Sequence, residues 1–273
     1  MTLYDQIFKP KNYQLSNGKI IQEKKSRMPL YFLLTIIVLI IALKVTEFSL
    51  ETILSKGKNA LVMLEAMFHP DWDYLPKVIE PLFDTLKMSF FGSFIGSLLA
   101  LPAAFLAANN MVKVPLINWL IKLLFTLIRT IPTLVSALIA TYIFGLGTLA
   151  GTVAIFLFSF SYIGKIMYEE IETVNMGAHE AMISMGFSES SAFLKGIIPL
   201  IMPTYISTSL FNFEGNVRYA SILGYVGAGG LGLLINENIG WRDYERVGTI
   251  LFSLLITVFI IEQISRYCRH KLS

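Results

Sequence analysis

Few side chains in this sequence are equipped for chemistry, and most of those stand inside long apolar runs. Glu214 and Arg218 are spaced i,i+4, so a carboxylate and a guanidinium can pair on one helix face. Arg129 precedes the step Thr130-Ile131-Pro132, and Lys165 and Glu169 repeat the i,i+4 spacing. Gly227, Gly229 and Gly232, with Gly230 among them, satisfy the letters of the G-x-G-x-x-G phosphate-binding fingerprint. That fingerprint needs a strand before it, a helix after it and an acid about 20 residues on. Here it lies between two apolar spans, so a dinucleotide site is not expected. The string HEAMISMGFSESSAFLKGIIPLIMP, beginning at His179, reads as helix, glycine break, helix. Its marks are Glu180-Ala181, Gly186, a serine-rich turn and Pro199, with Ser188 placed to cap the second helix. A bulky residue at Gly186 is expected to push the two short helices apart.

The remaining inventory argues against catalysis. Cys268 is alone, and His69, His179 and His270 are scattered, so neither an intrachain disulfide nor a metal site is implied. No G-x-x-x-x-G-K-[ST] loop occurs, so the sequence offers no phosphate loop of its own for ATP hydrolysis. No cofactor is called for, and a net charge of +3 says little about nucleic acid.

The elements that must position these residues are membrane helices. Only 15% of the 273 residues are charged and 55% are hydrophobic, whereas soluble domains carry about 25% charge. Residues 88–112, 130–164 and 196–213 hold no charge at all. Uncharged, mainly apolar runs of about 20 residues match the hydrocarbon thickness. Spans are expected at Met28–Thr46, 80–108, 114–145 (an amphipathic lead and then the span), 148–171, from near Pro199, and at 245–265. Gly92, Ser93, Gly96 and Ser97 form a small-residue pattern that lets helices approach closely. The stretch 214–240 reads as broken and re-entrant; taking 219–236 as a seventh span is the alternative. Lys9, Lys11, Lys19, Lys24, Lys25 and Arg27 at one end and Arg266, Arg269, His270 and Lys271 at the other place both termini in the cytoplasm by the positive-inside rule. The acids Glu172, Glu180 and Glu189 agree with that rule only in part. The organisation expected is a cytoplasmic segment 1–27, a first span with an extracytoplasmic elbow 28–77, and a multi-span membrane domain 78–268.

With these residues in place a resemblance can be stated. E-A-x-x-x-x-G from Glu180 to Gly186, with Pro199 thirteen residues beyond, resembles the EAA loop of bacterial ABC-importer permeases, with Met182 where Ala is usual. EPLFDTLKMS at 80–89, ALPAAFLAA at 100–108, Arg129-Thr130-Ile131-Pro132, ASILGYVGAGGLG and Asp243-Tyr244 resemble the phosphonate-type branch, across about 78–265. The resemblance implies an all-α integral membrane protein of about six transmembrane helices, with the MetI-like ABC permease fold and a cytoplasmic coupling (EAA) loop. It implies that Glu180, Ala181, Gly186 and Pro199 couple to an ATPase. Arg129, Glu214, Arg218, Gly227, Gly229, Gly230 and Gly232 become candidates for the translocation path or gate. Glu214 and Arg218 are read either as a structural pair or as groups lining that path. The partners implied are a second copy of the chain, a cytoplasmic ABC ATPase dimer, an extracytoplasmic binding protein and the lipid bilayer, with no nucleic acid. The cargo implied is a phosphonate, phosphate or phosphite. A methionine-type amino-acid importer permease is the alternative within the superfamily, and a secondary transporter the alternative outside it, for which the sequence shows no convincing internal repeat.

Overall fold

The computed structural model describes residues 12–22 and 28–271. The basic positions Lys9, Lys11, Lys24, Lys25 and Arg27 lie outside the described residues. The chain divides into two units between Leu61 and Val62.

In the first unit a short antiparallel hairpin, β1 (Asn12–Gln14) and β2 (Ile20–Gln22), turns at Gly18. It is a small addition to the helical architecture expected from hydropathy. Helix α1 (Met28–Val45) follows, with no residue buried against the rest of the chain. A helix of 18 residues reaches about 27 Å, close to one bilayer core, and an apolar surface on every side suits lipid. Helix α2 (Leu50–Met67) carries the chain through the point of division.

After α2 the second unit turns at Trp72–Tyr74, capped by the Asp71 carboxylate, which accepts from Asp73 N at 3.1 Å. It leads into α3 (Leu75–Ala107), then α4 (Pro115–Thr130), α5 (Thr133–Phe144) and α6 (Thr148–Thr173). α3 and α6 form the main seam. Gly92 faces Ile155, Gly96 faces Ser159, and Asn109 N donates to Glu172 Oε1, a constant offset of 63 residues that makes the helices parallel. A methyl at Gly92 would lie 2.7 Å from Ile155 Cγ2, and one at Gly96 2.7 Å from Ser159 Cβ. The small-residue pattern read from the sequence thus serves close approach.

Two parallel spans need a crossing between them. α4 and α5 supply it as a pair bent by 92° at Ile131-Pro132. Proline lacks an N–H and disfavours helical backbone at the residue before it, so the helix stops there. The 12 residues of α5 reach about 18 Å and cannot cross a bilayer core alone. The expected third span is therefore two helices meeting at a corner. Among the described residues, five helices are long and apolar enough to cross, or six with the bent pair.

After α6 come α7 (Gly177–Ser184) and a four-residue α8 (Glu189–Ala192), a wide turn at Phe193–Ile197, and α9 (Ile198–Leu223). α9 stays helical through Glu214 and Arg218, so the break begins at Gly224, later than the sequence suggested. A short turn and glycines then lead to α10 (Leu231–Gly240), whose ten residues end the idea of a seventh span over 219–236. α11 (Tyr244–His270) closes the unit. Thr249 Oγ1 donates to Asp71 O at 2.7 Å and Ile250 shares a buried cluster with Val78, so α11 starts beside the start of α3. Its last turn brings Arg269 within 3.9 Å of Glu214 on α9, whose near neighbour Asn216 bonds Ser93 farther along α3, so the two helices run the same way. Segment 174–197 and the end of α11 thus lie toward the same end of the bundle.

Candidate functional site

Three places in the second unit gather the residues with chemical capacity. The first is the helix–glycine–helix segment between α6 and α9. Its root is fixed to the end of α3: Asn110 Nδ2 donates to Ile171 O at 2.7 Å, and the Phe193 and Phe105 rings lie 4.5 Å apart. Glu172 accepts from Lys122 Nζ and from Asn109 N, both at 2.8 Å. The acid that seemed to spoil the positive-inside pattern is a local anchor. Beyond this root the segment projects outward. Glu180, Ala181 and Gly186 are exposed, as are the apolar Ile183, Met185 and Phe187. Ser188 caps α8, accepting from Ser191 N at 3.4 Å, and Pro199 stands in the first turn of α9. Gly186 has φ +88° and nothing within 4 Å of where a Cβ would be. Glycine is required there by the left-handed backbone, and crowding of the two helices plays no part. Beside the segment, a cleft of about 420 Å³ is lined by Asn110, Lys113, His179, Glu180, Ser184 and Glu189.

The second place is the glycine-rich elbow between α9 and α10. Gly227, Gly229 and Gly230 all have positive φ, at 83°, 81° and 68°. Gly147 N donates to Gly227 O at 2.9 Å, and the backbones of Gly224 and Gly232 touch. Thr85 Oγ1 accepts from Leu231 N at 2.9 Å, closing the first turn of α10. A helix precedes these glycines, not a strand, and Gly227 N donates to Gly224 O at 3.0 Å, so the fingerprint letters make no phosphate cradle. They make a tight corner touching α3 and the α5–α6 turn.

The third place is the inward face of α9. Asn216 Nδ2 donates to Ser93 Oγ and to Ser159 Oγ, and Asn212 Nδ2 donates to Ser159 Oγ, all at 2.8 Å. These buried amides join α3, α6 and α9. Sequence reading passed them over, although Asn212 and Asn216 on α9, like Ser89 and Ser93 on α3, were spaced i,i+4. Next to them a cleft of about 300 Å³ opens between α3 and α9, bounded by Phe90, Phe94, Ser97, Tyr205 and Phe213.

On the same helix, Arg218 Nη2 donates to Glu214 Oε1 at 2.7 Å, so the expected i,i+4 pair forms. A partner the sequence did not disclose is Arg269 of α11, whose Nη2 lies 3.9 Å from Glu214 Oε2. Arg129 belongs to another neighbourhood. It is exposed on the last turn of α4, with its guanidinium 6.0 Å from the Tyr162 ring centre. Lys165 and Glu169 pair at 3.5 Å in the open.

Comparison with known proteins gives this architecture a lineage. Residues 100–267 match the family described as binding-protein-dependent transport system inner membrane component. The chain is 31% identical over 220 residues to the phosphite transport system permease protein PtxC of Stutzerimonas stutzeri, covering 80% of each. It is 30% identical over 226 residues to the phosphate-import permease protein PhnE of Mycolicibacterium smegmatis. That match takes in 78% of this chain and 42% of the mycobacterial protein, so the chain spans less than half the length of that relative. Among solved structures, the MetNI methionine ABC transporter in inward-facing conformations superposes with a TM-score of 0.65 at 21% identity, over 74% of this chain and 99% of that one. That likeness is one of fold. The match over residues 100–267 and the relative covered over 80% of each chain lead to one conclusion: the chain belongs to the binding-protein-dependent transport system inner membrane components.

Proposed function

We propose that this chain is the membrane permease of an ATP-driven ABC importer for a phosphorus oxyanion, such as phosphite, phosphate or a phosphonate. The observation that carries the cargo class is the similarity to permeases named for phosphite and phosphate import, one of them matched across 80% of both chains. The exposed segment around Glu180, Ala181 and Gly186, with Pro199 opening the helix behind it, is the surface that couples to a separate ATPase. Its apolar Ile183, Met185 and Phe187 suit a socket in a partner. The basic residues Arg266, Arg269, His270 and Lys271 at the end of α11, with the positive-inside rule, support a cytoplasmic position for that end of the bundle. A second copy of the chain completes the pore, and an extracytoplasmic binding protein delivers the anion.

Within the bundle, Arg218 is the group offered to cargo. A guanidinium matches an oxyanion in planar, two-pronged geometry, and this side chain is 51% exposed although its partner Glu214 is buried. The glycine elbow at Gly227, Gly229, Gly230 and Gly232 is the bend about which the path opens. Arg129 contributes positive charge on α4.

The test is reconstitution in proteoliposomes with the ATPase and binding protein. ATP-dependent uptake of phosphite, phosphate or methylphosphonate, with none of methionine, is the expected result. Methionine uptake without any phosphorus compound would replace this reading with the amino-acid one.

A further inference from the structure

The Glu214 carboxylate has two arginines, and they are not equivalent. Arg218 is hydrogen-bonded to it at 2.7 Å yet half in the open. Arg269, 25% exposed and 6.0 Å from the Phe211 ring centre, stands 3.9 Å away, about 1 Å too far to donate. The carboxylate itself is only 6% exposed. One acid between two guanidiniums leaves a positive charge over, and removing the only cation from a buried carboxylate is heavily destabilising. An anion reaching Arg218 competes with Glu214 for the same guanidinium. If Arg218 turned to the anion with no second cation at hand, Glu214 would be stranded in low dielectric. A shift of about 1 Å brings Arg269 into hydrogen-bonding range of the free oxygen.

We propose that Arg269 is a positioning residue, which takes over Glu214 when Arg218 turns to the transported anion. The proposal rests on the reading of Arg218 as the group offered to cargo. Because Arg269 sits on the last turn of α11 and Glu214 on α9, the exchange ties the passage of charge to the fit between these two helices. Arg269 lies beyond the residues that define the family match, which end at 267.

The experiment uses the assembled complex, with ATPase and binding protein, carrying R218Q, R269Q, R218Q/R269Q, or the double change with E214Q added. Two quantities are read: the thermal midpoint without substrate, and uptake of phosphite and inorganic phosphate per folded complex. R218Q and R269Q each should lower the midpoint modestly. Together they should lower it by clearly more than the sum, and adding E214Q should recover most of the loss, because no charge is then stranded. R269Q should cut uptake per folded complex about tenfold, and R269K should restore part of it by returning the charge without the fork. Additive single changes, or wild-type uptake per folded complex by R269Q, would overturn the proposal. If the thermal coupling holds in a complex that imports some other substrate, Arg269's hold on Glu214 is supported and only the phosphorus reading falls.

Discussion

The α3–α6 seam and the segment between α6 and α9 both depend on glycine, for opposite reasons. At Gly92 and Gly96 the backbone is ordinary helix and the space is full: an added methyl would meet Ile155 or Ser159 at 2.7 Å. At Gly186 the space is empty and the backbone is unusual, at φ +88° with nothing within 4 Å. The first region spends its glycines on contact and the second on direction. A membrane bundle gains little from the hydrophobic effect between helices, because lipid tails are as apolar as the side chains, so close packing and buried hydrogen bonds must hold it. The turn at Gly186 has no such packing to lose. That turn keeps its shape through its left-handed backbone and the Ser188 cap beside it.

Substitution separates the two cases. Gly96→Leu should have the largest effect. The seam must open along two helices, at a cost at or above about 3 kcal/mol, the upper part of the range for overpacking. Membrane yield and monodispersity in detergent should collapse, and normal yield would show that the seam is looser than its contacts imply.

Gly186 should respond more gently and by residue type. A Cβ at Gly186 meets no neighbour within 4 Å, so insertion and yield of Gly186→Leu should stay normal. The branched side chain resists left-handed backbone by about 1–2 kcal/mol, which should redirect the segment and abolish stimulation of ATP hydrolysis by loaded binding protein. Gly186→Asn should keep most of that stimulation, because asparagine visits the left-handed region. Equal losses in both variants would mean that side-chain size matters after all, and full stimulation in both would remove the segment from coupling.

The smallest effect is expected at Lys165 and Glu169, which pair in the open at 3.5 Å. Lys165→Gln should change thermal stability by less than about 0.5 kcal/mol and leave uptake unchanged. A large loss there would place an unsuspected partner at that surface.

Much of the architecture was legible because the bilayer simplifies the rules. Backbone groups in lipid must be satisfied internally, so charge-free runs near 20 residues become helices almost by necessity. The start of α1, the small-residue face of α3, the Ser188 cap and the Glu214–Arg218 pair are all local, set within one or a few helical turns. What the sequence left undecided was of longer range. Pro132 announces a break, but only packing sets the corner at 92°. The 63-residue register of α3 on α6, the Lys122–Glu172 anchor, the amides reaching Ser159 and the approach of Arg269 to Glu214 join residues on different helices. Helical periodicity says which face a residue occupies. It does not say which neighbour that face meets or at what height, and those are fixed only when the helices pack.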